Sequence, residues 1–427
     1  MKNSGVEWIG EIPDDWEVKK VKHSFVRKNE KAMQENPIVL SLARTGVRER
    51  DISNNEGQLA ESYYNYNPVD VDDLLINPMD LYSGANCSIS KVKGVISPAY
   101  INLRAKKNVS PVFYDYYFKV QYWMMAFFAH GNGVSFENRW TLNNETLQNY
   151  PIVAPSFDTQ QRIASYLDKK CSKIEETIQN QQQVIEKLKT YKQSLITEAV
   201  TGKVKIENGK ACGEYESYKD SGVEWIGKIP SEWEVKKLKF SSQIMRGLFS
   251  HRPRNDPDYY DGVHPFIQTG EVARAVKYIT TYSQTLNELG FSVSREFPAG
   301  TVLLTIAANV GDVAILDFNA CFPDSVIGFY PKENVSKIFM FYVLKSMKEQ
   351  FMRNAIISTQ MNLNINIVKE EFIPLPSLAE QKEIVKFLEK KSDYIDTTIE
   401  QKQKLIEKLT EYKKSLIYEC VTGKKEI

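Results

Sequence analysis

Two stretches of the chain carry the same apolar period. Residues 155–203 read PSFDTQQRIASYLDKKCSKIEETIQNQQQVIEKLKTYKQSLITEAVTGK. Here Leu167, Ile174, Leu188 and Leu195 form one heptad line, and Ala164, Cys171, Ile178, Ile185 and Ala199 form the other. Residues 376–424 repeat the pattern with Leu388, Ile395, Leu409 and Leu416, and with Val385, Ile399, Ile406 and Cys420. One offset of 221 residues carries Pro155 to Pro376, Gln160 to Gln381 and Gly202 to Gly423 without a gap. Heptad spacing predicts a long helix in each stretch, about 65–70 Å in length. Ser377 with Glu380, and more weakly Ser156 with Thr159, are start signals. Gly202 and Gly423 are stop signals. A narrow apolar stripe on so long a helix needs a partner helix, and each copy is the natural partner of the other. Gln181 and Lys402, and Lys192 and Lys413, interrupt the seam at equivalent places, as polar residues that fix register do.

A second repeat precedes each helix. Residues 4–20 read SGVEWIGEIPDDWEVKK and residues 221–237 read SGVEWIGKIPSEWEVKK, at an offset of 217. The chain is therefore two halves, each an opening motif, a globular body and a long helix. The bodies have diverged far more than this frame. Short β-rich runs are predicted over residues 38–42, 73–76 and 95–103 in the first, and over 265–269, 302–306, 313–316 and 326–330 in the second. An aromatic helix is predicted in each, over 111–130 and 337–355. The expected division is 1–154, first body; 155–203, central helix; 204–217, a polar, glycine-bearing linker; 218–375, second body; and 376–427, C-terminal helix. The expected fold class is α+β, with an internal pseudo-twofold repeat.

The bulk numbers narrow the chemistry. A chain of 427 residues suffices for two or three cores. Its 55 Lys and Arg against 54 Asp and Glu leave a net charge of +1, so there is no global nucleic-acid signal, only room for local basic faces. Five cysteines form no CxxC pair and fit reduced thiols. No apolar run is of membrane-spanning length and no leader pattern opens the chain, so a cytoplasmic protein without a membrane partner is expected. No GxxxxGK[ST] is present, and His23, His130, His251 and His264 lack metal-ligand spacing, so no metal site and no catalytic site is expected. Asn255-Asp256-Pro257-Asp258-Tyr259 imitates a methyltransferase element but reads better as a turn.

What remains is binding chemistry. Residues 245–261, MRGLFSHRPRNDPDYYD, gather Arg246, His251, Arg252 and Arg254. Guanidinium forks contact phosphates, or guanine O6 and N7. In the first body Arg44, Arg48 and Arg50 follow a strand-like run. Residues 81–93 add Tyr82, Ser83, Asn86, Lys91 and Lys93, and Arg139 follows a Gly-Asn-Gly turn. A plain solvated polar loop is the competing reading of each.

The two opening motifs, the two helices that begin P-S-x-x-x-Q and end VTGK, and the two divergent bodies resemble the specificity subunit of Type I restriction–modification systems. Gly94-Val95-Ile96-Ser97-Pro98-Ala99-Tyr100 is similar to that family's G-x-x-SPxY element, which becomes Phe322-Pro323-Asp324-Ser325 in the second body. Arg246-Gly247, Tyr259-Tyr260-Asp261-Gly262 and Pro265-Phe266-Ile267 are similar to its other common opening. The resemblance implies two target-recognition domains, separated by two long antiparallel coiled-coil helices. Each domain would read half of a bipartite site in double-stranded DNA. It further implies two methyltransferase subunits docked on this chain, motor-nuclease subunits joining for restriction, and S-adenosylmethionine held by the methyltransferase partners rather than here. The alternatives are a coiled-coil adaptor for proteins and a stand-alone DNA-modifying enzyme.

Overall fold

The structure, a computed structural model, describes residues 1–43, 45–53, 60–79, 81–82, 86–135, 140–252, 254–357 and 361–427. It is a mixed helix and strand fold made of two compact units. One unit comprises Met1–Gln182 and Gln403–Ile427; the other is Gln183–Lys402. Two 44-residue helices dominate, Phe157–Val200 and Leu378–Val421. Each gives its first half to one unit and its second half to the other.

The ends of these helices explain the repeated sequence around them. Ser377 and Glu380 form a complete capping box: the Ser377 amide and hydroxyl donate to the Glu380 carboxylate at 3.2 and 2.9 Å, and the Glu380 amide donates to the Ser377 hydroxyl at 3.3 Å. At the other ends Gly202 and Gly423 have φ of +70° and +72°, and the next amides, of Lys203 and Lys424, reach back to Glu198 and Glu419 at 2.9 and 2.8 Å. A Cβ on Gly202 would meet Pro230 Cδ at 2.4 Å, and one on Gly423 would meet Pro13 Cδ at 2.3 Å. Glycine is therefore required twice over, by backbone conformation and by close approach. The pairing crosses the repeats. The first opening motif seats the end of the C-terminal helix, and the second seats the end of the central helix.

The helix starts reach into the bodies through glutamine. Gln160 and Gln381 are 3% and 0% exposed. Gln381 Oε1 accepts from the Ser336 amide at 2.8 Å, and its Nε2 donates to the Asn334 and Pro376 carbonyls at 3.0 Å each. Gln160 accepts from the Ser110 amide at 2.9 Å. Ser110 and Ser336 are the N-caps of the aromatic helices Pro111–Trp123 and Lys337–Ser346, so one buried amide clamps each pair of helix starts together. Gln381→Leu leaves a donor and two acceptors without their partner. It is expected to lower stability by about 1–3 kcal/mol in urea titrations; an unchanged midpoint would show the clamp to be idle.

Both bodies are built on the same sheet. In the first unit an antiparallel sheet runs Phe25–Lys28, Ile101–Ala105, Leu74–Ile76, Cys87–Ile89. In the second the order is Ser242–Arg246, Val326–Pro331, Val302–Thr305, Val313–Leu316, with Tyr278–Ile279 added parallel at the edge. The aromatic helices cover these sheets, with Phe113, Tyr114, Tyr117 and Phe118, and Phe339 through Leu344, all buried.

Several local expectations change. The run at 95–103 is two strands, Gly94–Ile96 and Ile101–Ala105, because Ser97-Pro98 turns the chain and the Tyr100 amide closes on the Ser97 carbonyl at 3.0 Å. Thr269 starts a helix, Thr269–Arg274, rather than ending a strand. The aromatic helix expected to run to His130 breaks where Met125 takes φ of 58°. The linker at 204–217 contains a hairpin, Lys205–Glu207 with Lys210–Gly213. Its Asn208-Gly209 tip has φ of +50° and +66°, its Ile206 is buried, and its Gly209 amide donates to Glu383 at 2.6 Å.

Within each unit the two helix segments run antiparallel, and the seam lysines have partners. Lys192 donates to Asp396 at 2.7 and 2.6 Å in the second unit, and Lys413 pairs with Glu175 in the first. These pairs are equivalent under the 221-residue offset. Lys192 is only 16% exposed, so its ammonium tolerates burial because the carboxylate of the facing helix meets it in one register.

Candidate nucleic-acid interface

The cation-rich loop of the second body begins where the edge strand Ser242–Arg246 leaves the sheet. Gly247 lies against the segment at 322–324, where a Cβ would meet the Pro323 and Phe322 carbonyl oxygens at 2.3 and 2.4 Å. That contact holds Asp324 beside the loop. The Arg246 Nε donates to the Asp324 carbonyl at 2.5 Å. Arg252 Nη2 lies 3.4 Å from Asp324 Oδ2, and Arg254 pairs with Asp324 Oδ1. Three of the four predicted side chains thus converge on one acidic residue.

The loop is further braced from within. Arg252 Nη1 donates to the Phe249 and His251 carbonyls at 2.6 and 2.7 Å. His251 stacks on Tyr259 with ring centroids 3.8 Å apart and shares a hydrogen bond with Asp256 at 2.9 Å. The Tyr260 hydroxyl donates to the Arg254 carbonyl. Asp256 caps a short turn over Pro257–Tyr259, as its sequence suggested. Two residues that the sequence did not single out as contacts belong here: Asp324, noted only within the element at residues 322–325, and Arg295. The exposed Arg295 reaches the Arg246 carbonyl from 49 residues away, at 3.4 Å.

In the first body the candidates spread over three neighbouring segments. Leu40–Ala43 and Gly46–Glu49 form a hairpin whose Ser41 pairs with Arg48, and Arg48 is exposed. Arg50 is half-buried, with its amide donating to the Val39 carbonyl at 2.8 Å. Asn86 Nδ2 donates to the Ala43 carbonyl at 2.6 Å, so it tethers its own segment to this hairpin. Tyr82 is 59% exposed, with its ring 6.2 Å from that of Phe128. Lys91 and Lys93 are exposed between Cys87–Ile89 and Gly94–Ile96, and Lys93 comes within 3.9 Å of Asp70. Asp70 also takes Arg104 and Lys28, in that order of effect, and these hold its carboxyl down at about 2. Arg44, Ser83 and Arg139 lie outside the described residues.

Other chemistry is thin. Among the described residues no group of three or more His, Cys, Asp and Glu could hold a metal ion. Among the described residues no helix is long and apolar enough to cross a membrane. Cys87, Cys171, Cys321 and Cys420 are buried free thiols, and Cys212 is an exposed one.

Comparison with known proteins fits this arrangement. Residues 230–411 match the Type I restriction modification DNA specificity domain. A Methanocaldococcus jannaschii protein named as the type I restriction enzyme MjaX specificity subunit is 27% identical over 97% of this chain and 95% of its own. The fold is shared with a chain from a structural study of complex assembly and conformational transition in the type I R-M system, at 14% identity and a TM-score of 0.73, covering 97% of this chain and all of the other. It is shared too with the HsdS subunit of Thermoanaerobacter tengcongensis, at 13% identity and a TM-score of 0.53, covering 97% and 98%. A duplicated frame around two unlike bodies, a specificity-domain match over residues 230–411 and likeness along nearly the whole length together make the chain similar to the type I restriction–modification specificity subunits.

Proposed function

We propose that the chain reads DNA sequence, each body recognising one half of a bipartite double-stranded target. The observation that carries this is the contrast between frame and body. The frame repeats contact for contact, from Gly202 on Pro230 and Gly423 on Pro13 to the paired Gln160 and Gln381 clamps. The surfaces it presents differ: an arginine loop bound to Asp324 in one unit, a hairpin and a separate turn bearing Lys91 and Lys93 in the other. Such a design holds two readers in the same way while letting what they read diverge. In this reading residues 1–154 and 218–375 are the target-recognition domains, 155–203 and 376–427 form the antiparallel coiled coil that separates them, and 204–217 connects the halves.

The repeated frame is also suited to dock two copies of one partner. We assign that role to two methyltransferase subunits, which carry S-adenosylmethionine and do the chemistry in the cytoplasm, with motor-nuclease subunits joining for restriction. The chain itself is non-catalytic in this reading. Arg48, Arg50, Tyr82, Asn86, Lys91, Lys93, Arg246, His251 and Arg254 are its candidate DNA contacts. Arg252, with both Nη1 donors on its own loop, acts there as a brace.

The test is mapping of methylated adenines in cells carrying the wild-type subunit, or one whose residues 238–375 come from a relative of different specificity. One half-site should change and the other persist. Change in both halves, or in neither, would overturn independent reading by the two bodies.

A further inference from the structure

We propose that Arg254 and Asp324 act as one composite reader of a G·C base pair, with Arg252 as the positioning residue that holds them. The inference rests on the DNA-reading role proposed above and names the chemistry of the target at that site.

Donor and acceptor accounting separates the roles of the two arginines. A guanidinium has five N–H donors. Arg252 places Nη1 on two carbonyls of its own loop and Nη2 on Asp324, so its orientation is fixed and little is left to offer. Arg254 commits Nη2 to Asp324 Oδ1 and keeps the rest of its fork, while its backbone is pinned by the Tyr260 hydroxyl. Its side chain is 46% exposed and that of Asp324 is 29% exposed, so both reach solvent.

The carboxylate decides what can dock. A phosphate approaching Arg254 meets Asp324 as well, and like charges at contact repel. A base edge carries no such charge. Guanine offers O6 and N7 to an arginine fork, and its cytosine partner offers the N4 amino group to a carboxylate. An arginine beside an aspartate with free lone pairs presents the complementary pattern in one rigid unit, since each oxygen of Asp324 takes one arginine and retains acceptor capacity. An arginine loop lacking Asp324 would grip the backbone of any sequence. With it, the loop gives up non-specific attraction for discrimination.

The experiment is competition binding by the full chain with its methyltransferase partners. The duplexes carry every single base-pair change in the half-site read by the second body. Wild type should require G·C at one position, with other pairs roughly 5- to 150-fold weaker, and should weaken when 7-deazaguanine removes N7 there. Asp324→Asn, a near-isostere, should lose preference at that position alone, bind random duplex more tightly and show a steeper salt dependence. Arg254→Lys should lose the bidentate fork and become indifferent to 7-deazaguanine. Unchanged base preference in Asp324→Asn, or equal 7-deazaguanine sensitivity in wild type and Arg254→Lys, overturns the proposal. Absence of duplex binding by the wild-type complex would instead strike the DNA-reading role itself.

Discussion

Ending the chain at Lys402 is expected to unfold the unit that contains the N-terminus while the unit at Gln183–Lys402 stays folded. The residues removed sit at the far end of the sequence, yet Leu416, Ile417, Cys420 and Val421 are at most 2% exposed and belong to the core around Trp16, Phe113 and Leu167. Burying a Leu, Ile or Val side chain contributes about 1.5–3 kcal/mol, so the three aliphatic residues alone supply roughly 5–9 kcal/mol as an upper estimate. That rivals the ~5–15 kcal/mol net stability of a whole domain. The Lys424 ammonium, which donates to the Ile9 carbonyl at 3.0 Å, goes too. Hydrogen exchange gives the readout. Amides of Phe25–Lys28 and Ile101–Ala105 should lose protection in the truncated chain, and those of Val302–Thr305 should keep it. A circularly permuted chain, with residue 427 joined to residue 1 and new ends at the Asn208-Gly209 hairpin tip, retains every one of these core residues and should protect both sheets. Persisting protection of the first sheet after truncation would mean that its core closes without the C-terminal helix.

The long helices were legible because nothing in their sequence competes: an unbroken period, a cap at each start and a glycine at each end all agree. The partners of those ends were not legible. That Pro13 and Trp16 pack on Gly423, rather than on Gly202, is a contact across 410 residues between two nearly identical motifs, and no local pattern separates the two pairings. The hairpin at Lys205–Gly213 was missed for a different reason. With one buried apolar residue, Ile206, it lacks the alternation that marks a strand, but its Asn-Gly pair is the usual signature of a two-residue hairpin turn.

The candidate site divides in the same way. Arginine density picked out the loop at residues 245–261. A search for cations passed over Asp324, which lies 70 and 72 residues from the arginines it binds. It reaches them only because the strand Val326–Pro331 pairs with Ser242–Arg246. In the first body Asn86 reads as a polar loop residue, and in the fold it is the tether to Ala43. Lys93 was chosen for its charge, and the neighbour that bears on that charge, Asp70, belongs to a network that sequence spacing does not reveal.

That network carries the second large effect. Asp73 is 1% exposed at its side chain and holds together three strands of the first sheet. Its Oδ2 accepts from Lys28 at 3.0 Å, from the Asp70 amide at 2.8 Å and from Asn102 at 3.3 Å, while Oδ1 accepts from the Arg104 Nε at 2.8 Å. Lys28 is only 10% exposed, so Asp73→Ala strands an ammonium with the half-exposed Asp70 as its remaining partner. Breaking a buried pair from one side costs about 3–5 kcal/mol, whereas replacing both partners by apolar groups is close to neutral. Asp73→Ala should therefore lower the protection of Ile101–Ala105 by that amount, and Asp73→Ala with Lys28→Met should recover much of it. Asp70→Ala should cost far less, because solvent screens a carboxylate 42% exposed. Acid adds an independent check. Arg104 first, then Lys28, depress the Asp70 carboxyl to about 2, below its unfolded value near 4. Its contribution is present above pH 4 and fades as the pH falls toward 2, so wild type should lose stability across that window more steeply than Asp70→Asn. Equal acid sensitivity in the two proteins, together with an Asp73→Ala cost under about 1 kcal/mol, would reduce the cluster to a surface ion pair.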